Sequence, residues 1–234
     1  MWERETIKKQ AKNELKQSYW LSFAICLVAS ILGAGSAGTG FNIGSSSFNT
    51  TDLDFSNFNL DSGMAAIVML ILTGLVAFVI LFAFVFSIFV SNPIETGKCG
   101  FFIRAPYGDR KFENLFFAFK KGRYIAIVKA MFMRNLYIFL WSLLFIIPGI
   151  IKAYQYRMVP YILSEDPTLS PNQAMDLSRR MTDGEKAAMF VLDLSFIGWY
   201  ILGALACGVG VLFVNPYAEA TWAQLYYLLR GKAA

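Results

Sequence analysis

The sequence predicts an all-α fold, a polytopic membrane helix bundle with six transmembrane helices in three hairpins plus amphipathic interfacial helices. Three observations predict it. The 234 residues are 56% hydrophobic and only 16% charged, whereas soluble domains carry roughly a quarter charged residues. The apolar residues gather in long runs, and the mean hydropathy is +0.50. The cations respect those runs. Of 21 Lys and Arg, none lies in residues 33–63, between the first two runs. All but Lys129, Arg134, Lys152 and Arg157 lie in the N-terminal segment, in residues 92–124 and 164–186, or near the C-terminus. Cations mark the cytoplasmic side of a membrane protein. The expected location is therefore the cell membrane, with both termini cytoplasmic and residues 1–234 forming a single membrane domain.

Each element has its own reason. Residues 1–18 place Trp2, Ile7, Ala11 and Leu15 near one helical face and lysines elsewhere, the pattern of an interfacial helix. Tyr19 and Trp20 then anchor the first hairpin, residues 19–91. Its loop, residues 33–63, carries Asp52, Asp54 and Asp61 without a cation, and is expected outside. The second arm, residues 64–91, is longer than the ~30 Å hydrocarbon core requires, and Pro93 marks its inner break. Residues 112–163 contain an interfacial FENLFFAF segment and a second hairpin turning at Pro148-Gly149. A competing reading keeps one span, residues 135–151, with Lys152 to Arg157 in a loop. Residues 170–229 begin with an interfacial helix opened by Ser170-Pro171. A third hairpin follows, turning at Gly208-Val209-Gly210. The unit, an amphipathic helix before an apolar hairpin, recurs three times. Phe89-Val90-Ser91-Asn92-Pro93-Ile94-Glu95 resembles Leu212-Phe213-Val214-Asn215-Pro216-Tyr217-Ala218-Glu219, and Val159-Pro160-Tyr161 is a partial third copy. Pro93, Pro148, Gly149, Pro160, Gly208, Gly210 and Pro216 are the expected helix breaks and turns.

The candidate functional residues are the charges at bilayer depth, because each costs ~2.5–3.5 kcal/mol unless partnered or wet. Counting ~1.5 Å per residue from the expected outer turns puts Arg134 and Asp193 at ~21–22 Å, and Arg157 and Glu219 at ~12–14 Å. The expected pairs are thus Arg134 with Asp193 and Arg157 with Glu219. They are either glue between two hairpins or a polar pathway.

Several function classes fall away. Histidine is absent, which removes Ser-His-Asp and Cys-His catalysis and His-ligated metals. Cys26, Cys99 and Cys207 form neither a disulfide framework nor a metal pattern. No P-loop, dinucleotide fingerprint or nucleophile elbow is present. No catalytic residue, metal site or cofactor is expected, and the protein is not expected to be an enzyme. The net charge of +5 follows from cations recurring beside each apolar run, so nucleic acid is not an expected partner. Membrane lipids are, through anionic headgroups at the cytoplasmic face, together with a membrane-protein partner or a second copy.

Several segments carry a family resemblance: LLFIIPGIIKAYQYRMVPYILSEDP (residues 143–167), AMDLSRRMTDGEK (174–186), LSFIGW (194–199) and PYAEATWAQLYY (216–227). With IKKQAKNELKQSYW and NPIETG, they resemble the bacterial integral-membrane family called domain of unknown function 975. More distantly, Ile147-Pro148-Gly149 followed by Pro160, Glu165, Ala174 and Ser178 is similar to the membrane domain attached to some glycerophosphodiester phosphodiesterases. Nothing here matches their catalytic domain, whose chemistry uses histidine. The resemblance implies a polytopic bacterial membrane protein without an assigned activity, and it supplies no catalytic residues. The expected function is a non-enzymatic membrane scaffold, accessory subunit or lipid-binding protein. The alternative is a small transporter or channel using the intramembrane charges.

Overall fold

The computed structural model describes residues 4–32, 62–120, 122–205 and 209–233. Every regular element among them is helical: α1 (Arg4–Ile31), α2 (Ser62–Phe86), α3 (Asn92–Arg104), α4 (Tyr124–Leu144), α5 (Ile146–Gln155), α6 (Val159–Glu165), α7 (Pro171–Met181), α8 (Lys186–Leu205) and α9 (Val209–Ala233). A π-helical turn (Ser87–Ser91) joins α2 to α3, and short 3₁₀ segments lie at Ala105–Tyr107 and Phe112–Phe119. The expected loop (33–61 of 33–63), Trp2, Cys207 and Gly208 lie outside the described residues.

Three helical stretches are long and apolar enough to cross a membrane: Ile67–Tyr107, Tyr124–Leu144 and Lys186–Leu205. Among the described residues, six full crossings are not found. Ser18 (φ −139°, ψ 20°) kinks α1 and leaves only the short apolar piece Ser18–Ile31 beyond it. The return arm after α4 is split: Tyr156 leaves the helical region, so α5 ends at Gln155 and α6 begins only at Val159. At ~1.5 Å per residue, α5 is only about half the thickness of the ~30 Å core. In α9, Glu219, Thr221 and Trp222 are buried inside the protein.

The protein has two surroundings for its apolar residues. One core is protein: Ile94, Phe101, Leu115, Ile127, Met131, Met158, Leu163, Met189, Phe196, Leu225 and Leu229 are almost wholly buried, around α3, α6 and α9. Elsewhere apolar side chains face outward. On α2 the exposed side chains run from Ile67 to Val85 on every face, and the α4–α5 turn exposes Leu143, Leu144, Phe145, Ile146 and Ile147. A helix apolar all round belongs in lipid or in a core, and α2 has no protein core about it.

The expected interfacial helices use their apolar faces differently. Ile7, Ala11 and Leu15 are buried in the packing of α1 on α9. Fully burying Ile or Leu stabilises by ~1.5–3 kcal/mol, so this face is held by protein and not by the bilayer surface. In α7, Ala174, Met175 and Met181 are likewise buried, where α7 packs against α4, α6 and α9. The Phe112–Phe119 segment keeps aromatic rings outside, with Phe112, Phe116 and Phe119 exposed.

The expected breaks also shift. The turn after α4 is made by Phe145 (φ −155°, ψ 143°), not by Pro148-Gly149. Pro148 falls in the first turn of α5, where its missing N–H removes no intrahelical bond. Gly149 then lets α5 fold back on α4: a Cβ there would lie 2.7 Å from Ser142 Cα. Pro93 is a first-turn residue of α3 and does not interrupt the run. The carbonyl that an amide at position 93 would bond in an α-helix, Phe89 O, accepts the Tyr124 hydroxyl at 2.7 Å. Pro160 opens α6. Pro216 sits inside a continuous α9, and Gly210 is in that helix's first turn.

Candidate functional site

Six ionisable side chains meet where α3, α4, α8, α9 and the α5–α6 turn converge. Glu95 and Lys98 of α3 are three residues apart, so they share a helix face. Lys98 Nζ donates to Glu219 Oε1 of α9 at 2.8 Å, with both side chains almost fully buried. Arg134 of α4 is 2% exposed. Its Nη1 donates to Glu95 Oε1 at 3.4 Å and its Nε to the Tyr156 carbonyl at 3.1 Å. That carbonyl lies in the irregular turn between α5 and α6, where it also accepts the Val159 amide at 3.3 Å. Arg157, in that same turn, reaches Asp193 Oδ2 of α8 at 3.4 Å. Tyr154 donates its hydroxyl to the same oxygen at 2.8 Å. The Arg157 guanidinium lies 3.6 Å from the centre of the Trp222 ring, a desolvated cation–π contact.

Arg134, Asp193, Arg157 and Glu219 are therefore brought into one region, but with other partners than expected. Arg134 pairs with Glu95 in place of Asp193, and Arg157 pairs with Asp193 in place of Glu219, which pairs with Lys98. The depth count fails because it starts from turns at Pro148 and Gly208, and the first of these lies at Phe145. Splitting the return arm into α5 and α6 then carries Arg157 out of a straight helix. Sequence reasoning misses Glu95 and Lys98 because they follow Pro93 in a stretch assigned to the cytoplasmic side. A signal was present: Glu95 and Glu219 end the two Asn-Pro segments that resemble each other, and both accept a buried cation. Pro160 and Tyr161, from the partial third copy, line the same cavity.

The site's chemistry follows from its balance. Three cations face three carboxylates, so the cluster is neutral. Bare charges here would cost several kcal/mol each, and pairing offsets much of that. The cavity enclosed by Glu95, Lys98, Arg134, Arg157, Tyr161 and Glu219 is about 20 Å³, room for roughly one water. It is a buried junction locking five structural pieces together. Among the described residues no group of three or more Cys, Asp or Glu is placed to hold a metal ion. Lys152 and Lys129 stand apart from it. Lys152 Nζ lies 5.0 Å from the Trp141 ring centre, and Lys129 is exposed.

No curated protein and no solved structure matches the chain. A family model does match, over residues 143–233, a stretch that takes in α5 to α9 and supplies Arg157, Asp193 and Glu219 of the cluster. Over those residues the chain is similar to the family described as Protein of unknown function (DUF975), the family its sequence resembles.

Proposed function

We propose that the chain is a multi-pass protein of the cell membrane that works without catalysis, as a scaffold, accessory subunit or lipid-binding protein. The observation that supports this reading is the apolar exterior of α2, α4 and α8 beside a buried, charge-neutral polar junction. The three long stretches supply three crossings. Each has a shorter apolar companion: the second half of α1, α5, and the first part of α9. Paired in this way they make three hairpins of unequal arms, with the basic segments and both termini on the cytoplasmic side.

The test is membrane fractionation of cells expressing the full chain, followed by alkaline carbonate washing and labelling of single cysteines placed at Lys111 and Lys232. A chain that stays in the pellet, with both positions labelled only after the inner face is opened, is the expected result. Release by carbonate would defeat the membrane reading, and labelling from outside would reverse the topology.

The transport alternative rests on the same six charges. It requires the 20 Å³ cavity to open into a continuous path. Solute or ion flux in reconstituted vesicles that is lost on joint neutralisation of Glu95 and Arg134 would favour it over the scaffold reading.

A further inference from the structure

A groove of about 740 Å³ runs between α1, α8 and α9. Its walls are apolar: Leu15, Trp199, Leu202, Phe213 and Val214 line it. Its floor exists because two glycines bring α8 and α9 into backbone contact. A Cβ on Gly203 would lie 2.8 Å from Gly210 C, and one on Gly210 would lie 2.5 Å from Gly203 Cα. Tyr19 closes the α1 side, its hydroxyl donating to the Phe213 carbonyl at 3.4 Å. The volume is in the ordinary range for a small-molecule site, ~300–1,000 Å³.

Only the α1 wall is charged. Lys12 and Lys16 both line the groove. They are four residues apart, so they project one above the other on the same helix face. Both are exposed, and among the described residues neither makes an ion pair. No carboxylate lines the groove. An apolar slot flanked by two adjacent cations fits a molecule with a long hydrocarbon part and an anionic head.

We propose that this groove is the binding site for an anionic phospholipid, its acyl chain lying against Trp199, Leu202 and Phe213 and its phosphate held by Lys12 and Lys16. The proposal rests on the membrane reading above and adds a site and a ligand class to it. The lysines give the headgroup preference, and the apolar walls give affinity for any lipid chain. Glycine at both 203 and 210 is then required twice over, for helix contact and for the depth of the slot.

The experiment is native mass spectrometry of the full chain in a neutral detergent, titrated with phosphatidylglycerol or phosphatidylcholine. Phosphatidylglycerol should be retained in preference. Lys12→Gln and Lys16→Gln should each weaken its retention about five-fold, with phosphatidylcholine little changed. Leu202→Trp, which fills the slot, should weaken both lipids. The charge-preserving pair Lys12→Arg and Lys16→Arg should restore the preference, which separates headgroup binding from a folding defect. Equal retention of the two lipids by the parent protein, or retention untouched by both kinds of variant, overturns the site. So does a second copy of the chain bound in place of lipid. These failures leave carbonate resistance intact, whereas failure of the membrane reading removes it.

Discussion

Lys98 and Glu219 form the shortest and most buried ion pair of the junction, and they give its electrostatics a direct test. Removing one partner of a buried pair strands the other, which typically costs about 3–5 kcal/mol. Lys98→Met and Glu219→Leu should each lower stability in detergent by that order, and the double variant should lose much less than the sum. Additive losses in a thermal unfolding cycle would show that the two charges are not coupled. Gly149 tests geometry instead. A Cβ there would fall 2.3 Å from Ser142 Oγ, and relieving that overlap moves α5 off α4, so Gly149→Ala should cost about 1–3 kcal/mol. Glu14 tests pH. Partial burial raises its carboxyl above the usual range, against the opposing pull of Gln224 and Arg110. A raised acid pKa in the folded state means stability is greatest in acid and declines as pH climbs from ~4.3 through the raised value. Glu14→Gln should therefore be the more stable form at neutral pH, with the gap closing on acidification. At this scale the sequence is informative about which residues are unusual and silent about their partners. Arg134 and Glu219 stand out as charges in apolar runs. That they bond Glu95 and Lys98 depends on the path of the backbone at Phe145 and Tyr156, which no local pattern encodes.

Among the elements, α7 has the most complete local specification. Ser170 caps it: its hydroxyl accepts the Gln173 amide at 3.4 Å, while Gln173 Oε1 accepts the Ser170 amide at 3.0 Å. Pro171 takes the first helical position, where a missing N–H removes no bond. Ser170→Ala should destabilise by about 1 kcal/mol, seen as faster hydrogen exchange in residues 172–175 ahead of the rest of the chain. Helix type is thus written in the sequence wherever caps and apolar runs agree. Prolines are harder to interpret. Pro148, Pro93 and Pro160 fall where a helix starts and tolerates them. Pro216 lies within α9, where the surrounding protein outweighs a local penalty of ~3 kcal/mol. The amphipathic pattern has the same ambiguity. It marks one apolar face on residues 4–17 and on α7, and periodicity alone cannot tell whether lipid or protein covers that face.

For the whole molecule, the all-helical class and the presence of membrane-length apolar stretches are legible from composition, because a hydrophobicity excess in long runs has few other uses. The number of crossings is not. It depends on where the chain bends and on what the protein covers, and the split return arm, the kink at Ser18 and the burial of Trp222, Leu225 and Leu229 in the second half of α9 are all products of tertiary packing. That packing also joins distant parts of the chain. Tyr19 and Phe213, bonded across the groove, are separated by 194 positions, and Lys8 donates to Ser195 across 187. A ribosome making this chain therefore releases α1 long before α9 exists. During that interval Ile7, Ala11 and Leu15 have no protein to cover them. The lipid surface or a chaperone must shield the face that the finished fold gives to α9, so α1 docks late although it is synthesised early.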